Sequence, residues 1–303
     1  MQTYNPSLLL RGTLNAFLRD LAGAEQQSFV PLIASVIPSD GNKETYGWIG
    51  ESPVMSEWDG EVHFIPMSDT SYEITNKKYA TGIVISRDDL ADDQLGGFPL
   101  RVNQLARGVV AHRNSLLINA LINGTTNTGH DGAAFFSNSH PARGQQTAAQ
   151  DNLLAGTGTT TAQIQADIVS ALVALMGFLA ENGEMFHDMP SRFVLVCHPA
   201  RLAQVNEALY AQLISNTSNV QLRGFTIDPL YTPRLSDTND WYLLHVGSAL
   251  RPLILQDREA VTLETADNAS EAYFAREQIE YKLRGRYAVG YGHWANAVKV
   301  VNT

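Results

Sequence analysis

Apolar residues at Val102, Leu105, Ala106, Val109, Val110, Leu116, Leu117, Ala120 and Leu121 recur three and four positions apart, the spacing of one buried helix face. The pattern predicts a helix from Phe98 to Asn123. Pro99 fits the first turn because the N–H that proline lacks has no helical partner there, and Asn123-Gly124 supplies a stop. About 26 residues rising 1.5 Å each make a rod of roughly 39 Å, about twice the length of the mean globular helix. Such a rod reads as the spine of the molecule. Its polar face carries Arg101, Asn103, Gln104, Arg107, Arg113 and Asn114, open to water or to another subunit.

Ahead of the spine the pattern is weaker. Leu8, Leu9, Leu10, Leu14, Phe17, Leu18 and Leu21 give a weak helix, followed by a short apolar run from Val30 to Ile37. These positions are too few for a core of their own, so residues 1–38 read as an arm lying on something else, a neighbouring molecule included. From Ser39 to Asp93 glycines and prolines punctuate short aromatic-rich segments. Glu61 to Ile65 and Tyr72 to Ile85 have strand character, and Asp59-Gly60 is a hairpin signal. A two-stranded excursion of this length is marginal in water, so its aromatics need burial by the body of the fold, by a partner, or by both.

Beyond the spine, Thr125 to Gly158 is rich in Gly, Asn, Thr, Ser and Gln and holds the apolar knot Ala133-Ala134-Phe135-Phe136. So long an irregular stretch reads as a functional or mobile loop. Thr160-Thr161-Ala162-Gln163 resembles a capping box, opening a helix with Ile164, Ile168, Leu172, Leu175, Met176 and Leu179 on one face and a stop at Asn182-Gly183. A strand at Phe193 to Cys197 and a helix opened by His198-Pro199 follow. Short strands are expected at Phe225 to Ile227, Trp241 to Val246, Leu253 to Gln256 and Val261 to Thr265, then a long alternating segment from Ala272 to Val301. Strands and helices alternating between Thr161 and Thr265 give a compact α+β unit to which the material before Leu95 is peripheral.

The chain has 303 residues, 44% hydrophobic and 17% charged, enough for one large core or two smaller ones. No apolar run approaches the ~18 residues that span a bilayer, and no signal-like segment opens the chain, so folding in a cytoplasm is expected. The single cysteine, Cys197, excludes an internal disulfide and argues against a zinc cluster; within Phe193-Val194-Leu195-Val196-Cys197 it reads as a buried structural thiol. With 21 basic and 31 acidic side chains the net charge is −10. Without a basic stripe, sequence-specific nucleic-acid binding is not expected. An acidic wall that encloses nucleic acid without gripping it fits this charge.

Candidate chemistry is sparse. Arg87-Asp88-Asp89-Leu90-Ala91-Asp92-Asp93 gathers carboxylates but lacks the spacing and terminal Glu of a calcium loop, so a solvated acidic turn explains it better. His130-Asp131, Ser137 or Ser139, and His140 could be drawn together as a Ser/His/Asp site, yet there is no Gly-x-Ser-x-Gly elbow. Gly156-Thr157-Gly158-Thr159-Thr160 lacks the Lys of a phosphate loop. None of the eight histidines pairs with another at ligand spacing on a predicted helix. No catalytic residue, metal or cofactor is therefore expected. A long spine, a protruding aromatic hairpin and an arm without a convergent polar site suit contacts between copies.

Several stretches together resemble the major head subunit of Mu-like tailed phages and prophages, a branch of the Hong Kong 97-type capsid fold. They are Tyr46-Gly47-Trp48-Ile49-Gly50, Met55-Ser56-Glu57-Trp58, Tyr72-Glu73-Ile74-Thr75-Asn76-Lys77-Lys78-Tyr79 and Ile85 to Asp93. Further on come Asp131-Gly132, Phe135-Phe136-Ser137, His140-Pro141, Trp241-Tyr242-Leu243, Pro252 to Arg258, and Tyr291-Gly292-His293-Trp294. Ala80 departs from the acidic residue expected after Tyr79 in this family.

The resemblance implies an N-terminal arm (1–38), an extended E-loop (39–83), a peripheral domain with the spine (84–159), an axial domain (160–258) and a return to the peripheral domain (259–303). It implies a non-enzymatic major capsid protein that closes as pentamers and hexamers into an icosahedral shell around double-stranded DNA, located in the virion after assembly in a bacterial cytoplasm. Trp48, Glu57, Trp58 and Asp59 are the E-loop residues expected to touch neighbouring subunits, with the two tryptophans as anchors. Some members of the wider fold family form Lys–Asn links from the E-loop; between Trp48 and Tyr72 this chain has no lysine, so an uncrosslinked shell is expected. A separate scaffolding protein, a portal and a decoration protein are the implied partners, with no membrane. An encapsulin-type nanocompartment is the alternative, followed by a soluble hydrolase using the His130 to His140 loop.

Overall fold

The computed structural model describes residues 6–47, 49, 72–86, 97–144, 146–211, 213–214, 217–218, 224–266 and 271–303. Helix α1 (Pro6–Glu25) leads through the short α2 (Val30–Ile33) into β1 (Ala34–Pro38), β2 (Lys43–Thr45), β3 (Glu73–Thr75) and β4 (Lys77–Ser86). The spine, α3, spans Gly97–Ile122, within a residue of the range its apolar spacing predicts. Then come β5 (Leu153–Ala155), α4 (Thr161–Gly177), β6 (Arg192–Cys197), α5 (Leu202–Tyr210), the two-residue strands β7 (Leu213–Ile214) and β8 (Thr217–Ser218), β9 (Thr226–Tyr231) and β10 (Trp241–His245). Strand β11 (Leu253–Thr265), α6 (Glu271–Arg276), β12 (Gln278–Tyr291) and β13 (Ala297–Val301) complete the described elements.

Two sheets organise these elements. The first runs β1-β11-β12-β4, with β1 parallel to β11 and the other pairs antiparallel. Residues alternate along β12, so Tyr281, Leu283 and Tyr287 turn inward. Leu283 packs with Val102, Ala106 and Val109 of the spine and Phe17 of α1. The arm's helix thus finds its burial on the spine of its own chain. The second sheet runs β5-β13-β10-β6-β9. Its central strands β6 and β10 are covered on both faces, which is why they read as unbroken apolar runs. One continuous core joins the sheets through Leu117, Leu121, Phe135, Phe136 and Trp294.

Several local expectations change for identifiable reasons. The strand expected from Tyr72 to Ile85 is interrupted at Asn76, whose amide donates to Ser39 Oγ (2.8 Å) and Gly41 O (2.9 Å); β4 then pairs along its length with β12. Leu253 to Thr265 is one strand, carrying register shifts between Asp257 and Glu259 and between Glu259 and Thr262. The Thr160/Gln163 capping box forms, but α4 ends at Gly177 and not at Asn182. Gln150 takes the Leu179 N–H at 2.7 Å, and Gln146 and Gln150 donate to the Leu179 carbonyl, so tertiary bonds replace another helical turn. The alternating segment from Ala272 to Val301 divides into α6, β12 and β13, and β13 crosses to the second sheet.

Candidate assembly interface

The residues flanking the expected aromatic excursion are tied to the body of the fold. Strands β2 and β3 pair antiparallel, and Tyr46 N donates to Tyr72 O at 2.7 Å just beyond them. Tyr46, Ile49 and Ile74 pack with Ile254 and Ala288 of the first sheet. The Tyr46 hydroxyl donates to Gln256 Oε1 at 2.8 Å, and burial pushes that phenol up to about 12. Lys43 and Glu73 form an exposed ion pair across the two strands at 2.8 Å. Glu44 Oε1 accepts from Gly41 N, Ser39 Oγ and Asp40 N, bonds that hold its carboxyl below the ordinary range despite a small opposing cost of burial. Trp48, Glu57, Trp58 and Asp59, the expected assembly contacts, lie outside the described residues, as does the acidic run from Arg87 to Asp93.

Beside this base, a groove of about 620 Å³ opens between the spine and the β4–β12 ladder. Leu105, Val109, Leu283 and Tyr287 form its apolar lining, and Arg101 and Arg284 supply its charge. Among the described residues no carboxylate lines it.

The loop that could have held a Ser/His/Asp site is locked instead. His140 is buried, with Nδ1 against Asp131 Oδ2 at 2.6 Å and Nε2 against Asn152 Oδ1 at 2.9 Å. The Asn152 amide nitrogen faces the carbonyls of Phe135, Trp294 and Ala297. Its Oδ1 must therefore accept, from His140 Nε2–H and from Ser137 N–H at 2.8 Å. Burial raises the Asp131 carboxyl, but the His140 hydrogen bond, the nearby imidazoles and the Ala133 N–H together hold it below its ordinary value. With both ring nitrogens engaged, His140 has no lone pair for a hydroxyl. Ser137 Oγ accepts from Ser139 N, away from the ring. The glycine-rich stretch is likewise occupied: Thr157 N and Oγ1 bond the Asp167 carboxylate, which repels a phosphate there.

Sequence spacing did not signal the histidines. His130, His140, His187, His245 and His293 are all buried around the residues joining β12 to β13. The rings of His130 and His293 lie 4.5 Å apart, as do those of His187 and His245, while His140 stacks on Trp294 at 4.0 Å. Among the described residues no group of three His, Cys, Asp or Glu side chains is placed to hold a metal ion.

A protein-family model, the Mu-like prophage major head subunit gpT, matches residues 8–172 and 231–303. The chain belongs to the Mu-like prophage major head subunit family. It is 24% identical over 270 residues to the Mu-like prophage FluMu major head subunit of Haemophilus influenzae Rd, an alignment covering 88% of this chain and 65% of that protein. It is 31% identical over 134 residues to the major capsid protein of Escherichia phage Mu, covering 44% of each. The chain thus spans less than two thirds of the length of either relative. Among solved structures, the procapsid of bacteriophage JBD30 matches with a TM-score of 0.58 at 22% identity, over 99% of this chain and 77% of that one. The chain has the α+β, Hong Kong 97-type capsid fold expected from its residues. The second family segment, from residue 231, contains β10 to β13, the strands that bind the two sheets to each other.

Proposed function

We propose that this chain is a major head subunit whose copies close as pentamers and hexamers into an icosahedral shell enclosing the double-stranded DNA of a tailed phage. The family match, running from the arm through the spine to the last strand, carries the reading. The excursion between Tyr46 and Tyr72 is the reaching element, with Trp48 and Trp58 as anchors and Glu57 and Asp59 beside them. Residues 51–71 include five Asp or Glu and no Lys or Arg. The spine groove has complementary charge in Arg101, with Arg284 beside it paired to Glu259, and an apolar floor for the aromatics. Many such contacts of modest size make a stable shell by multivalency.

The chain's role in this reading is structural, not catalytic, and its place is the virion, after assembly in the host cytoplasm. The partners we propose for it are a separate scaffolding protein and a portal, with a decoration protein on the finished shell as a further one. Electron microscopy of the purified protein tests the proposal: closed particles support it, and a small soluble oligomer under all assembly conditions overturns it. Particles carrying a specific protein cargo, with no phage DNA packaged, would assign the same fold to a nanocompartment. Trp58→Ala should lower particle yield while leaving the subunit folded by circular dichroism; unchanged yield removes Trp58 from the interface.

A further inference from the structure

Five residues, Gly292 to Asn296, carry the chain from β12 in the first sheet to β13 in the second. His293 accepts the Ala295 N–H through Nδ1 at 3.1 Å. His187 Nε2 donates to the Ala295 carbonyl at 3.0 Å, and His245, the last residue of β10, lies 3.4 Å from Asn296 Oδ1. His130 packs on His293, and Phe186 stacks on His293 at 4.2 Å. Histidines from separate stretches of chain thus close on one crossover between the sheets.

We propose that this crossover is a proton-operated latch: the uncharged imidazoles of His130, His187, His245 and His293 hold the two sheets together at neutral pH, and acidification charges them and loosens the joint. Geometry gives two reasons. Rings at 4.5 Å repel once both are charged, in a site with little water to screen them. A second proton on His293 must also go to Nδ1, which removes the acceptor that fixes Ala295 N–H.

The surrounding charges favour the neutral form. Burial drives His130 down to about 4; Asp131 opposes this, and Arg143 and His140 add to it. Burial likewise takes His187 to about 4, against the pull of the Ala295 carbonyl and with help from His245. His293 is held well below its ordinary value by burial and by His130, His187 and His140, and His245 is lowered by burial against its Asn296 bond. Asp131, the carboxylate beside His130, is already taken by His140. Glu73, which lines the same cleft of about 370 Å³ as His130 and Arg143, is paired with Lys43. Of the latch histidines, that cleft is lined by His130.

Each folded value lies below the open-state value, so the closed form has its full advantage above about 6.5 and loses it as pH falls toward 4. For one histidine moving between 6.5 and about 4, opening at pH 5 should rise roughly 30-fold over neutral pH. The test is hydrogen–deuterium exchange by mass spectrometry on the full chain at pH 7.5 and 5, corrected for intrinsic exchange rate. Peptides covering 128–140, 178–191 and 292–296 should gain opening on this scale, while the middle of the spine holds. His130→Phe, which keeps a ring against His293 but cannot titrate, and His293→Asn, which keeps a cap acceptor, should each reduce the gain. Equal opening of the joint at both pH values in the unsubstituted protein overturns the latch without touching the shell proposal, as does an undiminished acid response in both folded variants.

Discussion

Ala80 of β4 sits opposite Arg284 of β12 in the antiparallel ladder. Arg284 turns to Glu259 instead, its Nη2 at 3.0 Å from the carboxylate, and Glu259 is shared with Arg286 at 3.3 Å. The Arg284 Nε is buried without a partner among the described residues. The acidic residue expected at this position is therefore missing from a site that still has an unmet donor. Ala80→Glu should supply it and stabilise the chain by about 0.2–1 kcal/mol, the usual range for a cross-strand charge pair. Urea denaturation at low and moderate salt measures this; no rise in midpoint at either salt would mean that Glu259 already satisfies the guanidinium.

Asn152 holds the polar loop from inside. It is fully buried, donates to carbonyls of Phe135, Trp294 and Ala297, and accepts from Ser137 N and His140 Nε2. Asn152→Ala strands partners on both sides of the amide, so a loss of about 3–5 kcal/mol is expected. Equilibrium denaturation measures the loss, and limited proteolysis should place new cleavage between residues 125 and 158. A loss below about 1 kcal/mol would show that water replaces the amide at little cost.

What the sequence makes legible here depends on how local the cause is. The spine could be read because its apolar spacing is set by the helix itself, and the Thr160/Gln163 box because its partners are three residues apart. The loop could not: its order comes from Asn152 reaching Trp294 and Ala297 and from Gln150 reaching Leu179. The histidine joint escaped for the same reason, since its rings converge only when β12 crosses between sheets. Tyr72 to Ile85 alternates well enough to read as one strand, and the break at Asn76 is imposed by Ser39 and Gly41, far back along the chain.

The base of the excursion depends on an absent side chain. A Cβ added at Gly290 of β12 would come within 2.6 Å of Ile74 Cγ1, and Ile74 is buried with Tyr46 and Ile49. Gly290→Ala should displace Ile74 and cost about 1–3 kcal/mol, the usual range for overpacking. Because Ile74 belongs to β3, the strain falls on the β2–β3 pair. Particle yield should drop more than subunit stability does; a variant that loses stability but assembles normally would separate this base from assembly.

Cys197 is the single cysteine and ends β6, opposite Trp241 in β10 and Tyr231 in β9. It is fully buried, and burial pushes its thiol from 9.0 up to about 12. At pH 8 the buried thiolate fraction is then about 1000-fold below that of a free thiol, and the reagent must also enter a packed sheet. Labelling of the native protein should therefore wait for the second sheet to open, whereas the urea-unfolded chain should react at once with one thiol. The native labelling rate would report opening of the sheet core, and it should fall when Ala80→Glu stabilises the fold only if the two sheets open together. Native labelling as fast as in urea would place Cys197 in contact with solvent and contradict the buried strand.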